Sequence, residues 1–172
     1  MTIKNIAFAG HAGTGKTTLM EALLYQGGCT ERMGSVAAGT TVSDYTPEEI
    51  KRHSSVCTAT GSIQLDGLKV NLLDTPGMFD FAGGMIQGIS AADCVMITVS
   101  GKSGVRVGTK KAYRAAAGKP RMFVVTKLDD ENANFYNVLT DLKSTFGPSV
   151  CPVVVPVIVD RKVDSYINLI EM

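Results

Sequence analysis

The run Gly10-His11-Ala12-Gly13-Thr14-Gly15-Lys16-Thr17 constrains this chain more than any other stretch, because it fits the spacing G-x-x-x-x-G-K-[ST] without a gap. Before it, Ile3, Ile6, Ala7, Phe8 and Ala9 read as a buried strand; after it, Thr18 to Tyr25 read as a helix. A glycine-rich loop therefore joins a strand to a helix N-terminus. Glycines at 10, 13 and 15 let the backbone turn its N–H groups inward as a nest for phosphate oxygens, and the partial positive charge of the helix end favours the anion. Lys16 adds a full charge placed for the β- and γ-phosphates of a nucleoside triphosphate. The Thr17 hydroxyl suits Mg2+, and Thr18 suits the α-phosphate.

The rest of the composition fits a single domain. With 172 residues, 45% of them hydrophobic and a mean hydropathy of +0.14, the chain can bury a sizeable core. Its 17 basic and 16 acidic residues leave a net charge of +1, which gives no reason to expect direct DNA binding or attraction to an anionic membrane. Cys29, Cys57, Cys94 and Cys151 lie far apart with no C-x-x-C pair, so neither a zinc site nor a disulfide framework is expected. The longest apolar run, residues 150–159, is too short to span a bilayer and contains Pro152 and Pro156. A soluble, cytoplasmic, monomeric protein is the expectation.

Further along, residues 28–55 are polar and rich in Gly, Ser and Thr, with no sustained apolar period; a mobile loop ordered by the γ-phosphate is expected there. Residues 56–65 and 68–73 read as strands joined at Asp66-Gly67, a two-residue hairpin signal. The second strand runs into Asp74-Thr75-Pro76-Gly77, at the strand end where α/β sheets bind ligands. Asp74 is placed to hold Mg2+ through a water, and the Gly77 N–H to meet the γ-phosphate. A glycine-started helix over 78–90 reads as a second switch. Strands over 94–99 and 122–125, with helices over 106–117 and 135–146, complete the βα alternation of a mostly parallel sheet with one antiparallel edge hairpin. Strands are also expected over 150–159 and 166–170.

The strand ending at Val125 leads into Thr126-Lys127-Leu128-Asp129. A carboxylate accepts hydrogen bonds from guanine N1–H and the exocyclic amine together, whereas adenine has an acceptor at N1 and no such amine. Asp129 would select GTP or GDP, with the Lys127 stem across the base.

With these three elements in order, the chain resembles the nucleotide-binding domain of translation elongation factor G, and especially its divergent paralogues. The likeness extends to Asp44-Tyr45-Thr46-Pro47-Glu48-Glu49, Asp80-Phe81, Gly104 to Thr109, and the segment Cys151 to Glu171. It implies an α/β P-loop NTPase of the translational GTPase type, hydrolysing GTP with Mg2+ and acting on the ribosome. It also implies a core over 1–148 lacking its last strand and guanine-backing loop, then the start of an insert over 149–172. Thr17, Ser55 and Asp74 are the implied metal residues, and Lys16, Ser55 and Gly77 the implied catalytic ones. Thr75, Pro76, Thr126 and Lys127 are implied nucleotide contacts.

Four positions depart from the family. Arg52-His53-Ser54-Ser55-Val56 stands where R-G-I-T-I is usual, Gly13 replaces an acid, and Thr126 replaces an Asn. Met78 replaces the histidine that orients water in the family, and a thioether is a poor partner for a water. Two other functions therefore stand beside a GTPase of the ribosome: a GTP-binding switch with little hydrolysis, and an ATP-using P-loop kinase or ATPase. Substituting Asp129→Asn will shift the preference from guanine toward xanthine nucleotides in GTP/XTP competition binding, since the amide donates to the xanthine oxygen; an unchanged preference rules out direct pairing.

Overall fold

The computed structural model describes residues 2–159 and 162–171. Its first strand, β1 (Thr2–Gly10), lies at the centre of a five-stranded sheet with β2 (Ala59–Leu65), β3 (Leu68–Asp74), β4 (Cys94–Ser100) and β5 (Arg121–Thr126) in the order β2-β3-β1-β4-β5. All neighbours are parallel except β2 and β3, the hairpin at one edge. The register aligns the carboxyl ends: Phe8 faces Asp74, Gly10 faces Thr98 and Ser100 faces Thr126. Three sequence motifs far apart in the chain thereby leave the sheet along one edge.

Strand alternation sends side chains to opposite faces, and both faces are covered. Ala7, Ala9, Leu73, Val95 and Ile97 pack beneath α3 (Ala82–Ala91) and α4 (Val107–Ala115), with Met85, Ile89, Ala112 and Ala116 supplying the helix side. On the other side Phe8, Ile63, Val70 and Leu72 meet Met20 and Leu24 of α1 (Lys16–Gln26). A third cluster sets Val138 and Leu142 of α5 (Phe135–Phe146) against Val99, Phe123 and Val125. Small residues at 7 and 9 let α3 and α4 sit close to the central strand, and the helices fix the strand ends that carry the motifs.

Three expectations are corrected. Residues 28–55 are not an element-free loop: α2 (Pro47–Arg52) lies within them. Thr46 caps it by accepting from Glu49 N, the Glu49 carboxylate returns to Thr46 N, and Pro47 occupies the first turn. Six residues are too few to show an apolar period, so the periodicity misses α2. Next, β2 begins at Ala59 rather than Val56, because the N–H groups of Val56 and Cys57 donate to Glu49 Oε1 instead of a strand neighbour. Finally, the tail forms a separate two-stranded antiparallel sheet, β6 (Val154–Val159) with β7 (Lys162–Asn168). Pro152 lies outside β6, and the pairing of Pro156 with Tyr166 puts Tyr166 within β7 rather than at its start. Asp160 and Arg161, between the two strands in the chain, lie outside the described residues.

Phe8 is fully buried under α1 at the centre of this arrangement. Replacing it with Ala is expected to lower unfolding free energy by about 3–5 kcal/mol, the range for a buried aromatic cut to a methyl, as measured by urea denaturation.

Candidate nucleotide and metal site

The loop between β1 and α1 is stitched to the sheet from below. Thr14 turns inward, donating or accepting with Thr98 Oγ1 at 2.7 Å and donating to His11 O at 2.8 Å. Gly10 takes φ +143°, and a Cβ there would sit 2.6 Å from Thr98 O, so the sharp exit from β1 admits only glycine. Gly15 then enters α1 in the left-handed region with no side chain capping the helix. The first N–H groups of α1 are thus left pointing out of the helix end, where an anion binds best.

Lys16 is buried at 6% exposure with its Nζ 3.0 Å from His11 O and 3.4 Å from Gly10 O. Among the described residues it has no ion pair. Burial pushes its ammonium below the ordinary lysine range, and the charges of Asp74 and Asp44 oppose that. A Cβ on Gly77 would stand 2.5 Å from the Lys16 Nζ and 2.8 Å from Ala12 N. The Gly77 backbone therefore passes directly over the loop, within reach of whatever Lys16 holds.

Thr17 Oγ1 donates to Asp74 Oδ2 at 2.5 Å and lies 3.2 Å from Ser55 Oγ. The other Asp74 oxygen, Oδ1, is buried without a partner among the described residues. Two right-angle oxygen ligands of an octahedral Mg2+, each about 2.1 Å from the ion, are separated by about 3.0 Å. The Thr17–Ser55 spacing fits that, and the orphaned Asp74 oxygen supplies the carboxylate such an ion prefers. Thr17, Ser55 and Asp74 would hold it. Without a cation, burial first of all raises the Asp74 carboxyl to about 6, against the lowering effect of Thr17 and Lys16.

Ser55 is held in place by a carboxylate that motif reading passes over. Glu49 is 1% exposed and accepts from Thr46, Val56 and Cys57. Burial acts to raise its carboxyl, and these bonds outweigh it, leaving Glu49 below its ordinary range. On α1, the fully buried Glu21 does the same for the preceding segment, accepting from Gly34 N and Val42 N. The pattern Thr46-Pro47-x-Glu49 is a legible helix-start signature, and it would have located the first of these anchors.

A cleft of about 270 Å³ collects Ala12, Gly13, Gly15, Lys16, Thr17 and Thr18 with Asp44, Ser55, Gly77 and Lys127. Met78, Ser54 and His53 also line it, with the Ser54 hydroxyl directed at Met78 Sδ, 3.6 Å away. Other sequence candidates have side chains elsewhere. Thr75 is fully buried and donates to Phe8 O, and Pro76 lies against Gly84. The His11 ring turns to Phe79, 5.8 Å between centroids, and to Gly108; burial, then Arg106 and Lys16, hold its imidazole below the ordinary value and neutral at pH 7. Thr126 Oγ1 donates to Thr14 O at 2.8 Å, tying the β5 turn to the phosphate loop. Lys127 follows with φ 55°, while Asp129 lies on the same turn and outside the cleft lining.

The model of the elongation factor Tu GTP binding domain family matches residues 1–168. This chain belongs to that family. It is a GTP-binding domain of the elongation factor G-like kind, and guanine nucleotide use follows from the family. Its similarity to the elongation factor G-like protein of Mycobacterium tuberculosis is 42% identity over 156 residues, 90% of this chain and 22% of that protein. The mitochondrial ribosome-releasing factor 2 of Culex quinquefasciatus is 34% identical across 98% of this chain and 23% of its own length. A crystal structure of a Thermus thermophilus protein superposes with a TM-score of 0.92 at 44% identity, over 97% of this chain and 25% of that one. The chain thus spans about a quarter of the length of the relatives it matches.

The raised Asp74 value has a consequence for stability without metal or nucleotide. An acid whose carboxyl is raised on folding binds more protons folded than unfolded between its two values, so its stabilising contribution is present at low pH and lost as pH rises toward about 6. In EDTA, the melting temperature is expected to fall between about pH 5 and pH 7, and Asp74→Asn to diminish that fall; Glu49, held low, stays ionised throughout this interval.

Proposed function

We propose that this chain is the nucleotide-binding part of a cytoplasmic, monomeric GTPase that works on the ribosome, coupling GTP hydrolysis to a conformational step, with Mg2+ at Thr17, Ser55 and Asp74. The observation that carries it is Lys16, a buried ammonium held on two carbonyl oxygens with no carboxylate in contact, facing an uncapped helix end. Such a cation requires an anion, and a triphosphate supplies one. The printed names of the relatives, an elongation factor G-like protein and a ribosome-releasing factor, support the ribosome as partner. In this proposal residues 1–148 are the binding core and 149–172 open an insert.

The residues divide the work as follows. The loop from Gly10 through Thr18 wraps the phosphates, Lys16 neutralises charge on the γ-phosphoryl group, and the Gly77 N–H meets its outer oxygens. Thr126 and Lys127 hold the base turn against the loop, and Asp129 selects guanine. Bound Mg2+ supplies charge neutralisation to the β- and γ-oxygens. Water positioning is the weak point. Met78 lines the cleft beside Ser54 and offers only a thioether where an orienting group is needed.

That observation favours a second reading, a GTP-dependent switch with little hydrolysis of its own. Single-turnover GTP hydrolysis of the full-length protein, with and without ribosomes, separates the two. Slow hydrolysis alone and strong stimulation by ribosomes are expected; no stimulation establishes the switch. Met78→His is expected to raise the unstimulated rate by about 100-fold or more, the smaller end of what a positioned proton-transfer group contributes.

A further inference from the structure

Four acids are buried among the described residues: Glu21, Asp44, Glu49 and Asp74. Glu21 and Glu49 spend their oxygens on backbone N–H groups of the 34–57 segment. Asp44 does not. It is 4% exposed, and both its carboxylate oxygens are buried without a hydrogen-bond partner among the described residues. Its neighbour Ser43, 2% exposed, has an equally orphaned hydroxyl. A buried ionised carboxylate is expensive to maintain unless a cation or hydrogen-bond donor meets it.

The side chain is not lost in an apolar core. It lines the same cleft as Lys16, Thr17 and Ser55, close enough to Lys16 and Asp74 for their charges to act on one another. Lys16 does not pair with it, since no ion pair involves Lys16 among the described residues. The cleft therefore holds unsatisfied oxygen from two carboxylates, Asp44 and Asp74, beside the adjacent hydroxyls of Thr17 and Ser55. Hard divalent cations take such all-oxygen sets, and Mg2+ keeps part of its water shell, which carboxylates beyond direct reach of the ion hold through hydrogen bonds.

We infer that Asp44 is a further acidic residue of the divalent-cation site, acting with Asp74 on the ion and its water shell. This rests on the metal–nucleotide reading of the cleft. Its consequence is regulatory. Asp44 precedes α2 and Ser55 follows it, so one cation gripped from both sides ties the two ends of that helical segment to the phosphate loop. Nucleotide with metal would close the segment; nucleotide alone would not.

The test measures binding of N-methylanthraniloyl-GTP to the full-length protein in EDTA and in millimolar Mg2+, for wild type and Asp44→Asn, with thermal unfolding in EDTA alongside. Wild type should gain affinity on adding Mg2+. In Asp44→Asn that gain should shrink by about 10- to 100-fold, as when a supporting group of a metal site is removed. In EDTA the variant should bind at least as tightly as wild type and melt no lower, because a negative charge near the phosphates is gone. A variant that keeps the full Mg2+ gain overturns the inference, and so does one that loses affinity equally in EDTA and Mg2+ or melts lower, since either marks a structural residue. If wild type itself gains nothing from Mg2+, the metal–nucleotide reading fails first and takes this inference with it.

Discussion

The hydrogen bond from Thr17 to Asp74, 2.5 Å long and shut away from water, is the contact on which this site depends. It joins the first turn of α1 to the end of β3, and by committing one carboxylate oxygen it leaves the other facing the cleft. Lys16, one residue earlier, is buried beside it with only carbonyl oxygens in contact. Positive and negative groups are thus held close without neutralising each other. Keeping them so is costly in a low-dielectric setting, and the arrangement makes sense only around an anion and a cation that complete it.

What keeps these charges apart is the rigidity of the elements beneath them. The parallel register of β1 with β3 and β4 fixes where each strand ends, and both faces of the sheet are pinned by helices. Thr14 on Thr98, Thr126 on Thr14 and Thr75 on Phe8 then lock three loops to the strand ends through buried hydroxyls. Replacement of the family's Asn by Thr126 keeps the bond to the phosphate loop. A hydroxyl has no amide to spare for the base, so the guanine side rests more heavily on Lys127 and Asp129.

The segment between α1 and β2 is organised differently. It has little apolar material, so hydrophobic burial cannot order it; two buried glutamates gather its backbone N–H groups instead. Hydrogen bonds of this kind are strong when water is excluded and contribute little when it enters. Such a segment can be well ordered and still responsive to a charge placed next to it, which suits a switch.

By itself the sequence determined the phosphate loop, the strand-and-helix alternation, the edge hairpin at Asp66-Gly67 and the family, because each is written in local spacing: glycine positions, apolar period and turn chemistry. It did not locate α2, the late start of β2 or the separate sheet of β6 and β7. Those follow from Glu49 capturing two N–H groups that would have entered a strand, and from pairings between residues distant in the chain. Tertiary structure alone decided that Asp44 is buried with its oxygens unpaired, that Thr75 serves the sheet rather than the cleft, and that Gly77 crosses directly over Lys16. Burial and partner choice are properties of three-dimensional neighbours, and no local pattern encodes which of several acids will find a donor and which will be left waiting for a cation.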